Sequence, residues 1–547
     1  MTLFKKIISN VRYSWPSLYP SLALFFILSL YILFITPHWM TNDDVGISMR
    51  AHGYGGFYQA SNYLIFSNYI WGIFVSMAPS FKNIPGYTFS CYLVLFISAI
   101  TINAYLKRKS KSNFFSIFLT MTLFAIPLSL PQFTITSGVC AIAGLISYLS
   151  YADSKKNIHL FLFFILCYIS FLIRVQEFFF LTLIFFPLFL KKKIFSKLSL
   201  IHFFIFFLLL VFSHFFNESK KNDKDWEIHN EINKTRITYM DYGYKYKGNL
   251  PIKNITANDQ KLLQKWIFFS IGREGWKNIK NYLSKESNKI TKNIFSFKKL
   301  ETKKILNNFL IFHNLNGFDN PLILLYCLTI FLFFISNNKL KLSLSIAIFI
   351  LVIFMFAGLR NLPFRVLYPF IFGLTIFSIN NPINILNLKY IHIIINLIIL
   401  VILATLTKTL YFKSINTDIY LKKINNDIDK ISTDTLYLNG LPFDLTLLYP
   451  PFNSNYLKDF KFYALGSTVY SPLSYAYYYD FKLKQNNIHT HFLSEKGINM
   501  IWTNKYRKKN FYKELFSGYC KEKFNKQFSQ KSLLNLETIS VYNLKCY

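Results

Sequence analysis

The chain has 547 residues, of which 53% are hydrophobic, 19% aromatic and only 16% charged. A soluble protein of that length needs far more charge to cover its surface, and so apolar a composition excludes disorder. The 61 Lys and Arg against 26 Asp and Glu leave a net charge of +35. Much of that charge punctuates apolar runs, as in loops that hold a membrane topology, rather than forming a nucleic-acid surface. The composition predicts a polytopic α-helical membrane protein with a basic face toward anionic lipid phosphates.

Lys5, Lys6 and Arg12 precede an apolar run from Ser17 to Ile35. No small-residue cleavage site follows, so a first span with a cytoplasmic N-terminus is expected rather than a removed signal. The segment Thr36 to Pro85 then lies outside. Its apolar stretch Tyr63–Met77 reads as a helix lying at the interface. A crossing there would carry the cluster Lys107-Arg108-Lys109-Ser110-Lys111 to the wrong side. Spans are expected at 86–106, 114–130, 134–152, 158–174, 176–190 and 197–215, with inner turns at Asp153–Asn157 and Lys191-Lys192-Lys193. Beyond a polar stretch, Asn217 to Asn320, further spans fall at 321–336, 342–358, 364–379 and 389–411. The reading is about eleven spans with the C-terminus outside. A transmembrane unit covers 1–410, with outer loops at 36–85 and 217–320, and a small α/β unit covers 411–547.

Cys91, Cys140, Cys167 and Cys327 fall within spans and read as packing residues. Cys520 and Cys546 fall in the outer unit, where a disulfide between them is expected. The sequence has no GxxxxGK[ST] phosphate loop, and Gly53-Tyr54-Gly55-Gly56 lacks the spacing of a dinucleotide motif. The inner loops are too short to bind ATP or a nucleotide sugar. Any chemistry therefore sits outside or within the membrane.

Three polar sites gather at one membrane face. Thr41-Asn42-Asp43-Asp44 follows the first span, and adjacent carboxylates there are costly unless solvated or used. Their ordinary role would be to cap a helix starting near Val45 that carries Met49, Arg50 and His52. Arg174-Val175-Gln176-Glu177 lies between two apolar runs, where an Arg174–Glu177 ion pair across a turn is the structural alternative. Arg360-Asn361-Leu362-Pro363-Phe364-Arg365 sets two arginines around a proline turn, a phosphate clamp or a pair snorkelling to lipid head groups. The long loop adds Arg236 and Asp241 within Thr235–Tyr244, where acids and aromatic rings suit sugar binding. Lys261–Ile271 reads as an amphipathic helix, and His489-x-His491 as a surface strand more than as half a metal site. Asp43 and Asp44 are the candidate catalytic residues. Arg50, Arg174, Glu177, Arg236, Asp241, Arg360 and Arg365 are the candidate substrate contacts.

Together these features resemble the polytopic GT-C glycosyltransferases. The resemblance rests on Asp43-Asp44 after the first span, an interfacial helix before the second, the long outer loop and the C-terminal unit. The layout is nearest to that of O-antigen, serotype-type glucosyltransferases. It implies a bacterial inner-membrane enzyme that takes a sugar from a polyprenyl-phosphate donor to a glycan or lipid-linked acceptor on the extracytoplasmic face. It also implies that an acid of the first outer loop serves as base or metal ligand. Which of Asp43 and Asp44 does so, and whether a divalent metal joins them, stay open. The carboxylate would take the acceptor proton and cations would stabilise the departing phosphate. A lipid or polysaccharide transporter would need charge spread along several spans. An O-antigen polymerase or ligase would share the donor and differ in acceptor.

Overall fold

The computed structural model describes residues 19–81, 84–190, 197–220, 224–241, 250–294, 319–336, 339–357, 363–379, 389–439, 445–452, 459–482, 487–504 and 511–547. Its apolar helices are α1 (Tyr19–Phe34), α4 (Gly86–Ser110), α5 (Asn113–Ser129), α6 (Phe133–Ser154), α7 (Asn157–Ile173), α8 (Val175–Phe185), α9 (Lys197–Lys220), α13 (Asp319–Ile335), α14 (Lys339–Ala357), α15 (Phe364–Ser378) and α16 (Lys389–Ile428). Four of the described helices, those at Gly86–Ser110, Phe133–Ser154, Leu200–Lys220 and Ile393–Ile428, are long and apolar enough to cross a membrane. Large apolar side chains such as Phe204, Phe212, Ile394 and Val401 are exposed on the outer faces of α9 and α16, a surface suited to lipid.

The bundle closes around α6, whose residues from Phe133 to Tyr151 are all buried. Two glycines make this possible. A Cβ at Gly138 would stand 2.5 Å from Pro369 of α15, and one at Gly144 would stand 2.5 Å from the Cys167 sulfur of α7. The stretch Tyr63–Met77, expected to be one interfacial helix, is helical only over α3 (Tyr69–Met77). Asn68 caps it, accepting from the Ile70 N–H at 3.0 Å. Its nine residues span about 14 Å, far short of a bilayer core.

The polar stretch after α9 is largely helical: α10 (Lys224–Arg236), α11 (Ala257–Gln264) and α12 (Gly272–Ile294). The amphipathic helix expected at Lys261–Ile271 is displaced. α11 ends at Gln264, and α12 is the amphipathic one, burying Trp276, Ile279 and Leu283 at helical spacing. These helices pack on a five-stranded sheet of order β2-β1-β3-β5-β4, where β1 is Leu436–Asn439, β2 Lys461–Ala464, β3 Ile498–Thr503, β4 Phe528–Asn535 and β5 Ile539–Cys546. β1 runs parallel to β2 and β3, while β5 is antiparallel to β3 and β4.

The period of two along each strand divides the core. Tyr437, Phe462, Ile501 and Val541 join the core of the helix bundle. Leu438, Tyr463, Met500 and Leu544 join Ile232, Leu263, Trp276 and Ile279 of α10 to α12. The sheet is thus held between the bundle and the long-loop helices. The one-turn α17 (Leu445–Leu448), α18 (Ile488–Leu493) and α19 (Phe511–Phe524) complete this part. His489 and His491, expected on a strand, lie on α18, and His489 meets the Tyr519 hydroxyl rather than a metal partner. Cys520 of α19 is bonded to Cys546 at the end of β5, with Cα atoms 5.4 Å apart.

The helix read as a span at 389–411 continues to Ile428, making α16 40 residues long. Asp418 accepts from the Thr36 hydroxyl at 2.7 Å. Asp427 accepts from the Thr538 N–H at 2.6 Å and from its hydroxyl at 2.7 Å. One helix is therefore pinned to the bundle beside α1 and to the sheet beside β5.

Candidate functional site

Helix α2 spans Asn42–His52 with Thr41 as its N-cap. Neither acid is a cap, contrary to the expected start near Val45. Both lie in the first turn, where a carboxylate is favoured by the helix dipole. Consecutive helical positions point about 100° apart, and the two acids meet different surroundings. Asp44 is fully buried. Its Oδ1 accepts from the Tyr87 hydroxyl at 3.0 Å and from the Phe133 N–H at 2.9 Å, and its Oδ2 from the Thr41 hydroxyl at 2.8 Å. Asp44 therefore fastens α2 to α4 and to the N-terminus of α6, beside Gln132, which accepts from the Thr134 and Ile135 N–H groups. Asp43 is 40% exposed, and its Oδ2 accepts from Arg365 Nη1 at 3.0 Å.

Burial pushes the Asp44 carboxyl up to about 7, the Asp43 charge adds to the rise, and the hydrogen bonds from Thr41, Phe133 and Tyr87 oppose it. A carboxyl raised in the fold favours the folded state fully below its unfolded value of 3.8, and that contribution is lost as pH rises through about 7. Asn at this position keeps the carbonyl that accepts from Tyr87 and Phe133, and its amide can donate to Thr41. The melting temperature of Asp44→Asn relative to the parent is therefore expected to rise between pH 5 and pH 9. A difference that stays constant with pH would remove the burial cost from Asp44.

The second and third polar sites come to the same place. Arg365 is the second residue of α15, which starts after its N-cap Pro363. Its Nε is buried without a hydrogen-bond partner. Arg174 stands at the junction of α7 and α8. Its guanidinium lies 4.9 Å from the Phe133 ring centroid and 5.9 Å from that of Phe66. Glu177, in the first turn of α8, is buried with Oε1 unpartnered, and the charges of Arg174 and Arg365 both act on it. Asp43, Arg365, Glu177 and Arg174 thus form a cluster of ionisable groups drawn from three parts of the sequence. Arg360 lies outside the described residues.

The remaining candidates are placed differently. Arg50, expected to touch substrate, is fully buried. It donates to the Ser471 hydroxyl and, at 3.4 Å, to the Tyr63 carbonyl. Its guanidinium lies 4.9 Å from the Phe57 centroid and 5.1 Å from that of Trp226. It ties α2 to α10 and to the segment after β2, and burial pulls its pKa down to about 9. Arg236 is buried and donates twice to Asn233 Oδ1, at 2.9 and 2.7 Å. Its guanidinium lies 5.4 Å from the centroid of Trp266. Asp241 ends the π-helical turn Ile237–Asp241; its side chain lies outside the described residues, as do residues 242–249.

Asp43 also borders a cavity of about 190 Å³ between α2 and the sheet. Phe57, Phe66, Trp266 and Phe462 supply its aromatic wall, and Asn42, Asn439 and Thr468 its polar groups. The glycine run Gly53-Tyr54-Gly55-Gly56 makes this juxtaposition. Gly53 has φ +67 and a Cβ there would stand 2.5 Å from the Ala60 nitrogen, so only glycine fits. The carbonyls of Gly55 and Gly56 accept from the Phe462 and Tyr475 N–H groups, each at 3.0 Å, and so dock α2 against the sheet. Trp266 and Asn439 were not legible as site residues. Trp266 falls inside the amphipathic helix expected at Lys261–Ile271, and Asn439 simply ends a strand.

The two acids do not fit a divalent ion held between them, because Asp44 is occupied by three donors and Asp43 by a cation. Among the described residues no group of three or more His, Cys, Asp or Glu is placed to hold a metal.

No family model matches the chain, and no curated protein matches it. Among solved structures it is similar to the crystal structure of ArnT from Cupriavidus metallidurans bound to undecaprenyl phosphate. Identity is 9% and the TM-score 0.39, over 97% of this chain and 98% of that one. A likeness at that TM-score defines neither the fold nor the chemistry of this chain.

Proposed function

We propose that this chain is an integral-membrane glycosyltransferase that moves a sugar from a polyprenyl-phosphate donor to a hydroxyl of a glycan or lipid-linked acceptor. The observation that carries the reading is the position of Asp43, a half-exposed carboxylate between a cationic cluster and a cavity. Asp43 rather than Asp44 is assigned as the base, since Asp44 has no free oxygen to offer a substrate. Asp43 takes the acceptor's proton as its oxygen attacks the anomeric carbon. The bond from that carbon to the phosphate oxygen breaks, and its electron pair leaves on the polyprenyl phosphate. Arg365 and Arg174 stabilise the charge that gathers there.

Arg365 is ion-paired with Asp43. A donor phosphate that engages it competes with Asp43 for the guanidinium. Donor binding would then release the base it needs. The finer reading is hexosyl transfer onto lipopolysaccharide O-antigen at the extracytoplasmic face of a bacterial inner membrane, with the N-terminus cytoplasmic and the C-terminus outside. Its support is the basic punctuation of the apolar runs and the GT-C layout. The test is incubation of the purified protein in detergent with a synthetic polyprenyl-phosphate hexose and lipid-linked glycan. Release of polyprenyl phosphate with matching sugar gain by the acceptor is expected. An intact donor under all acceptors would refute the enzyme reading.

A further inference from the structure

The cavity beside Asp43 differs chemically from the cluster on the other side of that residue. Among the described residues, Asp43 is the sole charged residue that lines it, and neither Arg365 nor Arg174 does so. The described lining thus offers a phosphate no cation of its own, while Arg365 stands on the other side of Asp43 at 3.0 Å, so the arginine side is the better place for an anion. The two substrates of a transfer therefore separate around Asp43, with phosphate on the arginine side and something neutral on the other.

The lining says what that neutral group is. Aromatic rings line it together with amide, hydroxyl and carboxylate groups. That combination matches a pyranose, whose C–H faces meet ring faces while its hydroxyls take hydrogen bonds. At about 190 Å³ the cavity is smaller than the roughly 300–1,000 Å³ of drug-sized clefts, so it holds one sugar ring rather than several. It also opens where β1 and β2 end in parallel at Asn439 and Ala464. The carboxyl ends of parallel strands are where open α/β sheets bind their ligands.

Trp266 is the residue arranged for this purpose. It follows α11 with φ +59, a left-handed conformation that a bulky side chain rarely adopts. Such backbone persists where surrounding contacts enforce it, and it gathers at ligand sites. Here the Arg236 guanidinium, itself held by Asn233, lies 5.4 Å from the ring centroid.

We infer that this cavity is the acceptor subsite, that it takes a single pyranose residue, and that Trp266 is the ring on which that sugar stacks. The inference rests on the transferase reading for the word acceptor, but sugar binding itself does not require turnover. The experiment uses the full chain in detergent micelles and the methyl α- and β-pyranosides of glucose, galactose, mannose and rhamnose as probes. Binding is measured by saturation-transfer NMR. At least one pyranoside is expected to bind. Trp266→Ala should weaken it by about tenfold, the upper range of a ring-stacking contact, and Trp266→Phe by about threefold or less. Polyprenyl phosphate without a sugar should neither displace the pyranoside nor bind less well to Trp266→Ala.

Three results would overturn the inference: no pyranoside binding, equal binding in the parent and Trp266→Ala, or displacement by polyprenyl phosphate. The last would make the cavity a lipid site. Trp266→Phe, which keeps a ring in place, guards against a folding defect in the alanine variant. Pyranoside binding by a protein that leaves every donor intact would refute the transferase and keep the sugar site. Transfer that proceeds with sugar binding indifferent to Trp266 would refute the sugar site alone.

Discussion

Asp43→Asn is expected to lower transfer from a polyprenyl-phosphate sugar by about 10²- to 10⁴-fold, the range of a lost general base, while the protein accumulates normally in membranes. Asn has nearly the volume of Asp and suits the first turn of α2, so the helix has no reason to fail. What it lacks is a site for the acceptor proton and the charge that holds Arg365 at 3.0 Å. The neighbouring change gives the contrast. Asp44→Asn preserves the acceptor atom that receives Tyr87 and Phe133, and should retain most of the activity at neutral pH. The measurement is initial rate at saturating donor and acceptor for both variants. If Asp44→Asn were the inactive one and Asp43→Asn the active one, the assignment of the base would be reversed.

Arg365→Ala should cost about 1.5–3 kcal/mol, roughly ten- to a hundredfold, the usual value of a hydrogen bond to a charged group. The loss should show chiefly in donor dependence. Lys in its place keeps the charge but loses the planar fork, and should recover part of the loss. Because Asp43 and Arg365 touch, their effects are coupled. In Asp43→Asn/Arg365→Ala the second change should cost less than it does alone. Rates over a range of donor concentrations decide the matter. Unchanged donor dependence in both Arg174→Ala and Arg365→Ala would place the phosphate elsewhere.

The sequence made the apolar helices legible because a run of Phe, Ile and Leu has few alternatives, and helices occupy the stretches read as spans. It also marked the residues that converge, since Asp, Glu and Arg beside apolar runs are costly and therefore conspicuous. It could not separate Asp43 from Asp44. That distinction depends on Tyr87 and Phe133, residues far along the chain whose hydrogen bonds leave no local pattern. Arg50 misled for a related reason. A charge near the interface reads as accessible, yet Ser471 and the rings of Phe57 and Trp226 enclose it. The amphipathic segment was misplaced by several residues because Lys261–Ile271 and α12 both carry alternating charge and apolar groups. α12 packs against α10, a tertiary contact that leaves no local pattern in the sequence.

Helix α16 acts as a gauge. Its 40 residues span about 60 Å, twice the roughly 30 Å of a hydrocarbon core. No proline interrupts it between Lys389 and Ile428. The distance between the Thr36 contact and the Thr538 contact is therefore set by a count of residues along one helix. One residue more or less between Asp418 and Asp427 would turn the sheet about 100° and move it 1.5 Å. Asn439 would then leave the cavity that it lines together with Asp43. The length of this helix is thus as much a part of the cavity as any side chain that lines it.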